Sequence, residues 1–330
     1  MSKYAEHLSK ELFSETITQT PTRKGFGEGL KQAGELDERV VALCADLTES
    51  TQMESFAKAY PDRYFEVGVA EQNLVTVAAG LAAEGFIPFT SSYAAFSPGR
   101  NWEQIRTTAC LNEQPVKVVG SHAGLSVGHD GATHQMLEDI ALMRSLPNMT
   151  VIVPCDEHEA RKATLAIAKT KQPAYLRLAR EKTPIVTSTD SPFEIGKAQV
   201  WREGKDVTII VAGPLAYEAI KACELLAKND LEAELINCPS IKPLDVDTLV
   251  KSIKKTRAVV TVEEAQITGG LGGVIAELIG EHAPAALQRI GVRDVFGQSG
   301  TITELWEHYG LLAADIATAA HTAYKRAHTK

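Results

Sequence analysis

The sequence predicts an α/β protein built of two doubly wound domains with mainly parallel sheets. Short β-branched runs alternate with helical patterns along the chain, which is typical of βαβ units. A segment rich in Pro, Ser and Thr, residues 182–192, separates two such series, and its lack of periodicity predicts a linker. We therefore expect a first domain over residues 1–190 and a second over residues 191–330.

The first series supplies the elements before the linker. Glu71 to Glu84 carries an apolar stripe with i, i+3, i+4, i+7 spacing, which predicts a helix that ends at Gly85. Further helices are predicted over Trp102–Leu111 and Glu157–Lys169. The predicted strands are Val40–Ala45, Tyr64–Val67, Phe86–Thr90, Val116–Ser121, Thr150–Pro154 and Ala174–Leu178.

The second series repeats the alternation after the linker. Its glycine run Gly269–Gly273 opens a helix, and close helix packing explains such a run better than an anion site does. The predicted strands are Asp206–Val211, Ala233–Ile236, Ala258–Val262 and Leu287–Ile290. The predicted helices are Leu215–Lys228, Gly270–Glu281, Ile302–Tyr309 and Ala313–Arg326.

Composition and charge exclude several classes of protein. The chain has 42 Asp and Glu against 34 Lys and Arg, a net charge of −8, so it is unsuited to nucleic acid or an anionic membrane surface. No apolar run approaches the roughly 18 residues that a membrane span needs, and the charged N-terminus carries no secretory signal. Five cysteines without a CxxC pair indicate a reducing compartment, and we expect the cytoplasm.

Common cofactor motifs are absent from the sequence. It contains no GxGxxG, GxxxxGK[ST], HExxH or GxSxG string. The nearest glycine cluster, Gly25, Gly27 and Gly29, has GxGxG spacing and follows no predicted strand. The sequence therefore gives no support for a dinucleotide, a P-loop nucleotide, a zinc protease site or a serine hydrolase site.

Two segments carry candidate functional residues. Glu71 follows a predicted strand and lies in the first turn of a helix, where it can stabilise the helix dipole or face a ligand at the sheet edge. The loop from Ser121 to Gln135 holds three histidines, one aspartate and three glycines. The spacing of His122, His129 and His134 matches no standard metal site, which favours hydrogen bonding or proton transfer to a polar ligand.

Residues of the type that binds anions lie at predicted strand ends. They are Arg23, Ser50 and Arg180. A guanidinium suits phosphate because its planar fork gives paired, charge-assisted hydrogen bonds. Each residue taken alone is equally well explained as a surface or ion-pair residue.

The string EVGVAEQNLVTVAAGLAAEGFIPFTSSYAAF, followed by SHAGLSVGHDGATHQMLEDIALMRSLPNMTVIVPCD, resembles the pyrimidine-binding domain of thiamine-diphosphate enzymes. Among these enzymes the match is most similar to transketolase, and it covers most of residues 20–190. Residues 195–330, with VTVEEAQITGGLGG and GVRDVFGQSG, resemble the C-terminal domain of the same family. The whole chain is thus similar to the C-terminal half of a transketolase.

The resemblance implies roles for individual residues. Glu71 is expected to hydrogen-bond N1′ of the aminopyrimidine and to drive its imino form, which makes it catalytic. Tyr93 and Phe96 match the aromatic positions beside that ring, where Phe is more usual at the first, and Asp46 matches an aspartate near the cofactor. His122 is expected to be catalytic and to contact the sugar. The other residues expected to bind the sugar or its phosphate are Arg23, Ser50, Asp130, His134 and Arg180, and His129 is given no role.

The resemblance also implies a partner. The family holds the diphosphate and Mg²⁺ with a GDG motif and a downstream Asn on a separate domain, and no GDG occurs here. The chain is then the C-terminal subunit of a split transketolase, with no metal ligand of its own. It needs an N-terminal subunit to complete the site for thiamine diphosphate and Mg²⁺, in a heterotetramer of two copies of each. Its expected reaction is the transfer of a two-carbon ketol unit between phosphorylated sugars.

Two alternatives remain open from the sequence. One is a related thiamine-diphosphate enzyme, either a 1-deoxyxylulose-5-phosphate synthase or the beta chain of a 2-oxoacid dehydrogenase. The first rarely has histidine at the position of His122, and the second lacks the DGxTHQ pattern of Asp130 to Gln135. The other alternative is a non-catalytic scaffold half, which the presence of all the candidate residues disfavours.

Overall fold

The first sheet is mostly parallel and has seven strands. A computed structural model describes residues 4–329. In it, six parallel strands carry a single antiparallel strand at one edge, in the order β12-β6-β7-β5-β4-β2-β3. These strands are β2 (Val40–Cys44), β3 (Tyr64–Glu66), β4 (Ile87–Tyr93), β5 (Lys117–Ser121), β6 (Thr150–Ile152), β7 (Ala174–Arg177) and β12 (Ser240–Lys242).

The second sheet has five strands, and a small ribbon accompanies the two sheets. The second sheet runs in the order β14-β13-β10-β11-β9, and only β9 is antiparallel to its neighbour. Its strands are β9 (Gln199–Arg202), β10 (Val207–Val211), β11 (Ala233–Asn237), β13 (Ala258–Gln266) and β14 (Ala286–Val292). The ribbon pairs β1 (Gln19–Pro21) with β8 (Lys182–Pro184).

Helices cover both sheets. In chain order they are α1 (Thr22–Leu36), α2 (Glu54–Ala59), α3 (Glu71–Ala83), α4 (Trp102–Gln104), α5 (Asp139–Arg144), α6 (Glu157–Ala168), α7 (Ala216–Ala227), α8 (Val246–Thr256), α9 (Leu271–His282), α10 (Ile302–His308) and α11 (Ala313–His328). Helix α4 continues as a π-helical segment, Ile105–Leu111. The structure therefore confirms the predicted fold class, and each predicted strand and helix is present with ends shifted by a few residues.

No bounds were predicted for helix α1, because it contains four glycines, which are poor helix formers. Three of these glycines lie where α1 meets neighbouring backbone. A Cβ at Gly25 would lie 2.0 Å from the backbone oxygen of Glu157, and one at Gly27 would lie 2.4 Å from that of Gln52. The GxGxG spacing therefore reflects the close approach of α1 to α6 and to the loop after β2.

The predicted linker, residues 182–192, is an ordered part of the fold. Its first residues form β8, and Val186 and Thr187 are buried. The carboxylate of Asp156 accepts hydrogen bonds from the backbone N–H groups of both residues, at 2.9 and 2.6 Å. The segment predicted as a linker is thus ordered, a property that composition could not show because it depends on the contact with Asp156.

The two sheets share one apolar core. Val41 and Leu43 of the first sheet belong to the same buried cluster as Ile210 and Ile236 of the second. Strand β12 follows β11 of the second sheet and then joins the edge of the first. The two domains are therefore packed against each other as well as linked by the chain.

A buried ion pair reinforces this contact. Asp139 Oδ2 accepts hydrogen bonds from the hydroxyl of Tyr175 at 2.7 Å and from Nε of Arg177 at 2.8 Å. The same guanidinium donates to the backbone oxygen of Glu264 on β13, at 2.9 Å. The side chains of Arg177 and Asp139 are 3% and 0% exposed, so neither charge is shared with solvent.

Asp139→Asn should lower the free energy of unfolding by about 3–5 kcal/mol, because it leaves the buried guanidinium of Arg177 without a countercharge. Urea denaturation followed by circular dichroism measures this loss. Glu54→Ala is the matched control, since it removes an ion pair with Lys58 that solvent already screens. Equal losses of unfolding free energy for the two substitutions would show that the buried pair stabilises the fold no more than the exposed pair does.

Candidate active site

The candidate residues gather at the carboxyl edge of the first sheet. Because parallel strands end at the same edge, residues that follow β2, β4, β5 and β7 come together there. Ser50, Tyr93, His122 and Arg180 follow or end these strands, and Glu71 begins α3 at the same edge. The structure therefore places these residues at one edge of the first sheet.

Glu71 is the first residue of α3, and its side chain is 1% exposed. Its Oε1 accepts a hydrogen bond from the hydroxyl of Ser92 at 3.1 Å, and its Oε2 pairs with Nη1 of Arg100 at 2.7 Å. The side-chain amide of Asn101 donates to the backbone oxygen of Glu71 at 2.8 Å. A carboxylate that served only the helix dipole would not need burial or such specific partners.

An aromatic cluster adjoins this carboxylate. The rings of Tyr93 and His122 stack with 3.8 Å between their centroids. Phe96 lies 6.1 Å from Tyr93, and His134 meets the edge of Phe96 at 5.5 Å. The structure therefore brings four of the predicted site residues into mutual contact, in an arrangement that offers flat apolar surface beside polar ring nitrogens.

His122 is held in a strained and electrically unusual position. Its φ of 56° lies in the left-handed region, which a residue other than glycine adopts at a cost, and its Nδ1 lies 2.8 Å from the hydroxyl of Ser121. Burial, reinforced by the positive charges of Arg23 and Arg180, lowers the pKa of His122 to about 3. The imidazole is therefore neutral at physiological pH and can both donate and accept a hydrogen bond.

The three predicted anion-binding residues meet in one cluster. Arg23 donates to the backbone oxygen of Arg180 at 3.2 Å and to the backbone oxygen of Ser50 at 2.5 Å. Burial and the nearby charge of Arg180 lower the pKa of Arg23. The contact to Ser50 uses its carbonyl, whereas the sequence favoured a role for its hydroxyl. Arg180 also lies 3.3 Å from Glu181, so the surface ion pair and the cluster coexist.

Asp46, His129 and Asp130 remain at the periphery. All three are exposed, and within residues 4–329 none forms a hydrogen bond or ion pair with the aromatic cluster. The backbone N–H of Asp46 donates to Glu66 Oε1 at 2.7 Å. The cofactor and sugar roles of Asp46 and Asp130 therefore stay predictions.

The loop Ser121–Gln135 is anchored by residues to which the sequence analysis assigned no role. Glu264, which is buried, accepts hydrogen bonds from the hydroxyl of Ser126 and the indole of Trp306, both at 2.9 Å. The side-chain amide of Gln135 donates to the backbone oxygen of Gln298 at 3.0 Å. These contacts join distant parts of the chain, so no local pattern could have indicated them.

The predicted glycine-rich helix start, Gly269–Gly273, is already occupied by a carboxylate of this chain. Glu263 accepts hydrogen bonds from the backbone N–H groups of Leu271 and Gly272, both at 2.7 Å. A Cβ at Gly272 would lie 2.8 Å from the side chain of Arg289. The favoured explanation of close packing is correct, and Glu263 fills the anion position.

Comparison with known proteins identifies the family. Residues 18–186 match the family described as transketolase, pyrimidine binding domain, and residues 196–316 match transketolase, C-terminal domain. This chain belongs to the transketolase family. The match to both descriptions confirms the resemblance on which the residue roles were based.

Two of the most similar relatives are named as a section or a subunit of a transketolase. A putative transketolase C-terminal section from Methanocaldococcus jannaschii is 46% identical over 298 residues, which are 89% of this chain and 93% of the relative. A 6-deoxy-6-sulfo-D-fructose transketolase subunit from a Clostridium species is 42% identical over 304 residues, 92% and 94% of the two chains. The chain therefore corresponds to the C-terminal half of a transketolase.

A solved structure supports the same conclusion. The structure titled split gene transketolase, inactive beta4 tetramer, has a TM-score of 0.88 and 43% sequence identity, and the match covers 93% of this chain and 99% of that one. The inactive tetramer is a state of that protein. For this chain the structure supports both the family and the two-domain arrangement.

The site fits the pyrimidine end of thiamine diphosphate, the cofactor of the transketolase family. Glu71 offers a buried carboxylate to a ring nitrogen, and Tyr93 and Phe96 offer the neighbouring aromatic surface. Residues 4–329 contain no group of three or more His, Cys, Asp or Glu side chains arranged to hold a metal. In the same part of the chain no helix is long and apolar enough to cross a membrane.

Glu264→Gln should change how stability depends on pH. Burial raises the pKa of Glu264 to about 7 from its ordinary 4.5, with opposition from Arg177. Between these values the native carboxyl keeps a proton that the unfolded chain has lost, so this group makes stability fall as pH rises. The variant lacks this contribution. Its thermal midpoint relative to wild type should therefore increase from pH 5 to pH 8, and parallel curves would contradict the assignment.

Proposed function

We propose that this chain is the C-terminal subunit of a two-subunit transketolase that moves a two-carbon ketol unit between phosphorylated sugars. The observation that carries this proposal is the gathering of three kinds of group at one sheet edge. They are the buried carboxylate of Glu71, the stacked rings of Tyr93 and His122, and the guanidinium of Arg23, whose charge acts on His122. A cofactor site, a neutral imidazole and an anion site therefore lie side by side.

Glu71 is the group that we assign to the cofactor ring. Thiamine diphosphate, when bound, supplies the nucleophilic carbon for making and breaking the carbon–carbon bond. Glu71 holds a proton at N1′ of the ring, and its burial keeps water from competing for that position. Tyr93 and Phe96 would hold the flat ring and fix its orientation.

His122 and His134 are assigned to the sugar. Because the imidazole of His122 is neutral, it can donate a hydrogen bond to a carbonyl or alkoxide oxygen. It does so without adding a positive charge that would repel a cation in the site. Its stacking on Tyr93 and its hydrogen bond with Ser121 keep the ring in one orientation. We assign Asp130 to a sugar hydroxyl, as the family pattern implies.

Arg23 and Arg180 are assigned to the anionic end of the sugar. Burial and then the charge of Arg180 lower the pKa of Arg23, and a dianion between the two guanidiniums would relieve both their repulsion and the cost of burying a charge. The relative named for 6-deoxy-6-sulfo-D-fructose acts on a sulfonated sugar, which also ends in an anion. We propose phosphate for this chain, with Ser50 as an additional contact.

An N-terminal subunit is needed to complete the site. The chain has no GDG motif, and the described residues hold no acidic cluster for Mg²⁺. We therefore assign the diphosphate and Mg²⁺ to a partner chain, in a heterotetramer of two copies of each subunit. The five cysteines are free and buried, which supports a cytoplasmic location.

The test is reconstitution with the N-terminal subunit. The isolated chain should show no ketol transfer, and the mixture should show transfer that requires Mg²⁺ and thiamine diphosphate. Glu71→Gln should keep the fold, since the side chain is nearly isosteric, and lower turnover at least about 100-fold, because a positioned acid–base group is lost. Turnover by the isolated chain, or near-normal turnover by the variant, would overturn the proposal.

Arg180→Ala should raise KM for a phosphorylated ketose about tenfold or more, because it removes a charge-assisted contact to the phosphate. KM for hydroxypyruvate, which has no phosphate, should change little. Steady-state kinetics on the two donors with the reconstituted enzyme measure the difference. Equal increases in KM for both donors would mean that Arg180 is a structural residue. Its hydrogen bond to the backbone oxygen of Val127, at 2.7 Å, would then account for its effect.

A further inference from the structure

Arg100 makes two contacts that no sequence pattern indicated. Its Nη1 donates to Glu71 Oε2 at 2.7 Å, and its guanidinium carbon lies 4.9 Å from the centroid of the Phe96 ring. The side chain of Arg100 is 48% exposed, whereas that of Glu71 is 1% exposed. A half-exposed cation therefore reaches in to a buried carboxylate and covers an aromatic face beside it.

These two contacts are also those that the proposed cofactor ring requires. A guanidinium is flat, donates N–H bonds in its own plane and lies over aromatic rings. An aminopyrimidine protonated at N1′ is likewise flat, donates an N–H to a carboxylate and stacks on an aromatic ring. Because Ser92 already bonds Glu71 Oε1, a ring nitrogen that approaches Oε2 competes directly with Arg100.

We propose that Arg100 is a positioning residue that occupies the place of the aminopyrimidine in the unliganded chain and leaves when thiamine diphosphate binds. This inference rests on the proposed function of Glu71. While the site has no cofactor, the guanidinium gives the buried carboxylate a countercharge and keeps the face of Phe96 covered. Binding then exchanges one planar donor for another.

The surroundings of Arg100 provide room for this movement. An open cavity of about 540 Å³ lies beside Glu71, and Arg100 and Gln104 both line it. Gln104 Oε1 is buried and has no hydrogen-bond partner within residues 4–329. The cavity therefore offers space into which the guanidinium can turn, with the side chain of Gln104 beside it.

The affinity for the cofactor tests the proposal. Isothermal titration of thiamine diphosphate, with Mg²⁺ present, into the reconstituted complex should give a Kd for Arg100→Ala about three- to tenfold lower than for wild type, because the competing donor is gone. Arg100→Lys, which keeps the charge, should lie between the two. Arg106→Ala is the matched control, since Arg106 is exposed on the adjoining helical segment, and its Kd should equal that of wild type.

An unchanged or higher Kd for Arg100→Ala would overturn the inference, because Arg100 would then be neutral or part of the bound site. Binding by none of the complexes, wild type included, would instead remove the proposed function and the inference with it. A double-mutant cycle on the thermal unfolding of the isolated chain checks the contact itself. Arg100→Ala and Glu71→Gln should be non-additive, and additive effects would show that the pair is not formed.

Discussion

The shape of the loop Ser121–Gln135 depends on buried polar contacts from the second domain, and the candidate site depends on that loop. Glu264 holds Ser126, and the backbone at Gln298 accepts the amide of Gln135. A Cβ at Gly124 would lie 2.6 Å from Glu264 Oε2, so the loop backbone lies directly against this carboxylate. The C-terminal domain supplies none of the assigned cofactor or sugar contacts. It contributes to the site by fixing the conformation of a loop whose histidines lie in the first domain.

The electrostatics of the site differ from those of the whole chain. The chain carries a net charge of −8, yet Arg23, Arg180 and Arg100 all lie at one sheet edge. Burial and two of these charges hold His122 neutral. In the proposed function this arrangement separates two roles, because Glu71 would hold a proton at the cofactor ring while the guanidiniums would attract the anionic end of a sugar. A histidine that became protonated near neutral pH would add a positive charge to the site, and the two roles would no longer be electrostatically separate.

The sequence predicted the regular fold well, and its failures have physical causes. The strands were predictable because parallel strands buried on both faces consist of β-branched runs. Helix α1 was not, because its glycines serve packing against α6 rather than helix propensity. Within the site, the roles proposed for Glu71 and the loop histidines came from the family resemblance, because spacing alone left Glu71 open to a helix-dipole role. Arg100 and Glu264 were not predicted, because their importance lies in contacts with residues far away along the chain.

Several features of the site are unfavourable to the folded chain on their own, and two of them have a counterpart in a ligand. The left-handed backbone at His122 costs on the order of 1–3 kcal/mol, and the loop contacts from the second domain hold it in place. The charges of Arg23 and Arg180 repel each other where an anion would fit. Glu71 is buried with a countercharge that comes from the solvent side. Folding alone gives no reason to keep these features together, whereas a flat cationic ring and an anionic sugar relieve two of them directly, which is why we regard the edge as a binding site rather than a structural cluster.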